Sequence, residues 1–155
     1  MTQAGDVRIR AAEAKDEAAW RALWRGYCDF YEVALSEAVT AHTWKRILDP
    51  ASPVKATVAD SASEGVIGLC NYILHENTWE TSPVCYLEDL FVAPGRRAVG
   101  VGRMLIDDLV AKMNADGWSR IYWMTKENNY RARGLYDKYT PRDPFVRYVI
   151  KAKRA

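Results

Sequence analysis

Residues 94–105 read PGRRAVGVGRML. Gly95, Gly100 and Gly102 fall close together here, with Arg96, Arg97 and Arg103 among them and an apolar run after. Glycines let a ligand approach the backbone closely. A helix beginning near Gly100 would present unpaired N–H groups and the positive end of its dipole. With the arginines, these are the components of an anion site, and a pyrophosphate would fit it. The same residues would also serve as a tight turn with solvated arginines. Two phosphate motifs fail on spacing. Gly95 and Gly100 have the separation of a Walker loop, but Val101 and Gly102 stand where its lysine and hydroxyl residue belong. Gly100 and Gly102 begin a Rossmann fingerprint, but Leu105 holds its third glycine position, and Glu88 and Asp89 are foreign to a buried parallel strand.

The elements that must position this loop follow from periodicity. VRIR (7–10) reads as a strand, and Asp16 caps or opens a helix. Trp20, Leu23, Trp24, Tyr27, Cys28 and Tyr31 then recur at helical spacing. A second helix covers 37–48 and ends at DPASP (49–53). Strands follow at 54–59, 66–74 and 84–92, separated by a turn at 60–65 and a loop at 75–83. After the glycines, Val101, Met104, Leu105, Leu109 and Met113 mark an amphipathic helix stopped by NADG (114–117). A strand at 120–125, a short helix at 128–139 and a last strand at 144–150 complete the chain. The order predicts one α/β domain over 1–155: an antiparallel meander, then a crossover through the glycine loop into a mixed sheet.

The 155 residues suffice for a real core, and 49% hydrophobic with 27% charged residues is the balance of a soluble globular protein. A net charge of +2, with no basic stripe interleaved by aromatics, argues against nucleic acid as a partner. No apolar run reaches the ~20 residues of a membrane span, and MTQAGDVRIR lacks a signal core. Cys28, Cys70 and Cys85 form no C-x-x-C pair and, like His42 and His75, have no ligand partners at metal-site spacing. No metal and a reducing cytoplasm are expected.

RAVGVG (97–102) matches the Arg/Gln-x-x-Gly-x-Gly/Ala signature of the GNAT N-acetyltransferases. YLEDLFV (86–92) resembles the polyamine and thialysine branch of that superfamily and the small fungal D-amino-acid/histone acetyltransferases. NNYRARGLYDKY resembles the family's Asn-x(6)-Tyr element, with Asn129 and Tyr136 at the matching positions, and VRIRAAEAKDEAAW resembles its opening strand and helix. The likeness covers nearly the whole chain. It implies a GNAT fold with splayed central strands and acetyl-CoA as cofactor. The loop would then hold the pyrophosphate of coenzyme A. Arg97, Gly100 and Gly102 are the matched residues, and the backbone of Ala98, Val99, Val101 and Arg103 completes the cradle. The main chain of Leu90, Phe91 and Val92 would bond the pantetheine arm. Asn129 would hold that arm or cap its helix, and Tyr136 would lie at the same cofactor. One departure stands out: YTPRDPFVRY follows the tyrosine helix with two prolines, where many members have a Gly-Phe/Tyr turn.

Acetyl transfer needs a neutral amine, a polarised thioester carbonyl and a proton for the departing thiolate. Alkylamines are mostly protonated near neutral pH, so a base or water relay is required. Glu88 is the candidate, since the related polyamine enzymes use the matching glutamate as a base; strand alternation would put Glu88 and Asp89 on opposite faces. Tyr136 is the candidate acid, because a phenol with a pKa of about 10 keeps its proton at working pH. A backbone N–H near Leu90–Val92 would polarise the carbonyl. Tyr27, Phe30 and Tyr31 would line the acceptor site with Glu88 and Asp89, and Glu32, Glu37, Asp89, Glu76 and Glu80 would attract a cationic amine. The expected acceptor is a small primary amine: a polyamine, an amino acid or a related metabolite. A protein lysine or N-terminus, or a non-catalytic CoA sensor, are the alternatives. The resemblance also implies a homodimer paired through C-terminal strands.

Overall fold

The computed structural model describes residues 4–96 and 100–153. They gather in two compact units, one over 1–124 and one over 125–155.

The first unit is built on a sheet in the order β1 (Val7–Ala11), β2 (Val54–Ser61), β3 (Gly65–His75), β4 (Val84–Val92), β5 (Arg120–Tyr122). The first four strands run antiparallel to their neighbours, and β5 pairs with β4 in parallel. Helices α1 (Glu17–Phe30) and α2 (Glu37–Leu48) join β1 to β2, and α3 (Val101–Asp116) is the crossover between β4 and β5. This is the expected meander-then-crossover, with β4 as predicted and β5 three residues shorter at its end.

Each face of the sheet is covered. On one side Trp20, Leu23, Trp24 and Cys28 of α1 and Trp44 and Ile47 of α2 are buried against Leu69 and Phe91. Trp20 packs against both Trp24 (5.5 Å between ring centroids) and Trp44 (5.1 Å), which ties the two helices together. Next to Leu69, Gly68 points to the opposite face: a Cβ there would sit 3.2 Å from Val101 and 3.4 Å from Leu105. Alternation therefore puts α3 on the second face, where Val101, Leu105, Ile106 and Leu109 are almost wholly buried.

Charge fixes where α1 begins. Arg10 of β1 makes a two-pronged bond to Asp16 (2.7 and 2.9 Å) and a third bond to Asp60 of β2 (2.8 Å). Asp16 is 4% exposed and also accepts from the Glu13 N–H. The Arg10 bonds hold the Asp16 carboxyl below its ordinary pKa against the opposing effect of burial. Asp16→Ala is therefore expected to cost about 3 kcal/mol at neutral pH in chemical denaturation. Because the folded pKa is depressed, the difference from wild type should shrink as pH falls below the ordinary carboxylate range. An equal loss at all pH values would mean that packing, not charge, carries the effect.

The second unit contains α4 (Tyr130–Tyr136) and irregular chain after it. The strand expected at 144–150 does not form. Its backbone joins no ladder among the described residues, and Phe145, Val146, Tyr148 and Ile150 are exposed. β propensity alone does not make a strand without a neighbour to accept its hydrogen bonds. Among the described residues no helix is long and apolar enough to cross a membrane.

Candidate active site

The acidic pair lies where β4 breaks step with β3. Tyr72 pairs with Leu87 and Asn71 with Asp89, so Glu88 is an extra residue in a β-bulge. The bulge breaks the strict alternation behind the expectation of opposite faces, since alternation holds only while register is unbroken. Both carboxylates act on the Tyr27 phenol of α1, and Glu88 also feels Arg46 of α2. Asp89 is buried toward α1, where Asn71 links it to Trp20, while Glu88 beside it is exposed.

Asp89 is only 8% exposed, at the end of a chain of donors. The Trp20 Nε1–H donates to Asn71 Oδ1 (3.1 Å), and Asn71 Nδ2–H donates to Asp89 Oδ2 (3.1 Å). The Tyr27 phenol lies close enough to the same carboxyl group for each to shift the other's pKa. Burial pushes the Asp89 pKa up to about 6; the Tyr27 phenol and the bond from Asn71 oppose this, and the Glu88 charge adds to it. Among the described residues no cation acts on Asp89 or pairs with it. A buried carboxylate without a counter-ion is costly, and a cationic ligand would relieve it. Glu88 is more accessible, yet partial desolvation raises its pKa too, with Arg46 pulling the other way. Burial raises the Tyr27 pKa, and Asp89 adds to the shift, so the phenol keeps its proton.

The aromatic residues expected at the acceptor site do form a continuous row. Tyr27 stacks on Trp24 (5.3 Å) and meets Tyr31 (4.8 Å), which meets Phe30 edge-on (5.0 Å). The loop acids divide. Glu37 is bound by Arg21 (2.8 Å) and Glu80 lies 3.9 Å from Arg120. Sequence reasoning missed Asn71 and Trp20 as supports of Asp89, although Asn71 is the one amide in the apolar run VIGLCNYIL. It also missed a second aromatic group, for which no local signal exists. Tyr86 of β4 stacks on Tyr122 of β5 (4.8 Å), and the Tyr122 hydroxyl bonds His75 Nε2 (2.9 Å).

Toward the far edge of the sheet, the ladder between β4 and β5 runs only from Val84↔Arg120 to Tyr86↔Tyr122. β4 continues past Tyr86 to Val92, and Leu90, Phe91 and Val92 have no ladder partner in β5, which ends at Tyr122. Gly100 then opens α3 in the left-handed region (φ +78°), with no side-chain cap and no acidic residue in the first turn. The first-turn N–H groups, including those of Val101, Gly102 and Arg103, lack intrahelical acceptors. A Cβ at Gly100 would meet nothing within 4 Å, so the approach is open. This donor set fits a pyrophosphate. Arg103 is exposed and lies 3.6 Å from Asp107, while Arg96 is paired with Glu64. Arg97, Ala98 and Val99 lie outside the described residues.

In the second unit Asn129 precedes α4 without capping it; its Nδ2–H donates to Thr125 Oγ1 (2.9 Å). Tyr136 is the last residue of α4, half-buried. Its carbonyl accepts from the Tyr139 N–H (2.9 Å) and more weakly from that of Thr140 (3.3 Å), which closes the helix.

Residues 19–140 match the model of the acetyltransferase (GNAT) family. Over 143 residues the chain is 33% identical to the D-amino-acid N-acetyltransferase HPA3 of Saccharomyces cerevisiae, covering 92% of this chain and 89% of that protein. Two solved structures share the fold. A ribosomal-protein-alanine N-acetyltransferase from Brucella melitensis biovar Abortus matches with a TM-score of 0.78 at 17% identity, over 94% of this chain and 99% of that one. AAC(6')-Iy, in complex with the bisubstrate analog CoA-S-monomethyl-acetylneamine, matches with a TM-score of 0.77 at 21% identity, over 96% and 99%. The chain belongs to the GNAT family of acetyltransferases and is therefore an acyltransferase that uses acetyl-CoA.

Proposed function

We propose that this enzyme moves an acetyl group directly from acetyl-CoA to the primary amine of a small molecule: a polyamine, an amino acid or a related metabolite. The observation that carries this reading is Asp89, a buried carboxylate beside Glu88 with no cation of its own among the described residues. The pair has the charge and burial to hold an ammonium group. Homology to a D-amino-acid N-acetyltransferase supports a small amine as acceptor.

When bound, acetyl-CoA supplies an acyl group activated as a thioester. Arg97, Ala98, Val99, Gly100, Val101, Gly102 and Arg103 hold its pyrophosphate, the backbone of Leu90–Val92 holds its pantetheine arm, and Asn129 supports that arm. Asp89 and Tyr27 orient the incoming ammonium. Glu88, the more accessible carboxylate, takes its proton through water. The nitrogen lone pair so released forms the N–C bond as the C–S bond breaks. The second nitrogen proton would leave through the same water to solvent, and the Tyr136 phenol would give its proton to the sulfur and regain one from solvent, so that the products are an amide and a thiol. All of chain 1–155 acts as one catalytic domain in this scheme.

Free-thiol release from acetyl-CoA, followed against polyamines, D- and L-amino acids and a lysine peptide, tests the reading. Acceleration by one small-amine class is the expected result. Tyr136→Phe should then lower kcat about 100-fold while the coenzyme Kd stays unchanged. Full turnover in that variant would remove Tyr136 as the acid, and acceleration by the peptide alone would overturn the acceptor class.

The apolar segment 144–150 fits a homodimer in which a second copy covers it, and sedimentation showing only a 17.6 kDa species would dispose of that pairing. The three buried free thiols fit a cytoplasmic setting. Fractionation into an oxidising compartment would contradict it.

A further inference from the structure

We infer that an open groove beside α1 receives an apolar side group of the amine acceptor, so that the preferred substrate is a monoamine carrying a branched aliphatic or aromatic group. The inference rests on the acetyl-transfer reading above. The groove has a volume of about 500 Å³ and is lined by Ala22, Gly26, Phe30, Val66, Phe91 and Ala93 among others. Its floor depends on a missing side chain. A Cβ on Gly26 would come within 2.9 Å of Cε1 and Cζ of Phe91, so that edge of the ring lies against bare helix backbone.

The groove and the carboxylate share the same two elements. Phe91 follows Asp89 by two residues on one face of β4, about 7 Å along the strand. Gly26 lies on the same helix as Trp20, which reaches Asp89 through Asn71, and directly precedes Tyr27, whose phenol interacts with Asp89. An ammonium at Asp89 therefore stands about one side-chain length from an apolar hollow. The rim is apolar as well. Phe30 is an exposed part of the lining, and Pro94 and Ala19 also belong to it. Charge complementarity selects the occupant. A polyamine entering the groove would bring its second ammonium against hydrocarbon and lose hydration without a partner. An amine with a leucine- or phenylalanine-sized group satisfies both ends.

The test compares kcat/KM of the purified enzyme for leucine and phenylalanine, in both enantiomers, with that for glycine, alanine and putrescine. A preference of roughly tenfold to 100-fold for one enantiomer of the larger amino acids is expected. Ala22→Leu fills the groove from an exposed helix position at almost no cost in helix propensity. Phe30→Ala removes part of its wall. Each should reduce the ratio of large to small substrate at least several-fold with an unmoved unfolding midpoint. Amines acetylated with no such preference, a preference for putrescine, or ratios unchanged in both variants would overturn the inference and leave the proposed function standing. No acetylation of any amine by the wild type would overturn both.

Discussion

Asp89→Asn should separate stability from activity. The folded protein holds the Asp89 proton more tightly than the unfolded chain does, because burial raises the pKa from 3.8 to about 6. The folded state therefore binds more protons between about pH 4 and 6, and stability falls as pH rises through that window. At neutral pH the ionised carboxylate costs on the order of 2–3 kcal/mol. An asparagine never ionises and still offers Asn71 an acceptor. The variant should be as stable as wild type or more so at pH 7, and should lack the pH step between 4 and 6. Its kcat/KM for an amine should fall about 100-fold, because the ammonium loses a buried charge partner. Wild-type kcat/KM should likewise decline as pH drops below about 6, when Asp89 takes up its proton. Denaturation curves across this pH range, read beside steady-state rates, check both halves. A variant with wild-type kcat/KM would show that Asp89 does not hold the substrate.

Gly100→Val should remove coenzyme binding. Gly100 sits at φ +78°, and a β-branched residue there is strained by about 1–2 kcal/mol. Relief of that strain would turn the first N–H groups of α3 away from the pyrophosphate. Losing one or two charge-assisted bonds corresponds to about a 100-fold rise in the acetyl-CoA Kd. Gly117, at the other end of the same helix, has φ +72° and supplies the control. Gly117→Val should lose similar stability and keep its coenzyme affinity in calorimetric titration. Equal loss of binding in both variants would assign the effect to helix stability and not to the anion site.

Much of this protein was legible in its sequence because the signals are local. Helical recurrence from Trp20 to Cys28, the run of β4 and the Gly117 stop depend on neighbours three or four residues away, and the structure keeps them. The glycine loop was legible for the same reason, since left-handed backbone and a helix start are properties of a few consecutive residues. Residues 144–150 show the limit: their β-prone composition could not say whether a neighbouring strand would be there, and in the described chain none is. Tertiary pairing alone decided the acidic site. Two consecutive acids read as strictly alternating until the register with β3 inserts a bulge at Glu88 and breaks the alternation. Asp89 is bound by Asn71, which Trp20 in turn holds, and both are distant from it in sequence, so its burial and raised pKa exist only once helix and strand have met. Sequence by itself determined most of the elements and the glycine that opens α3; long-range packing determined which carboxylate is buried.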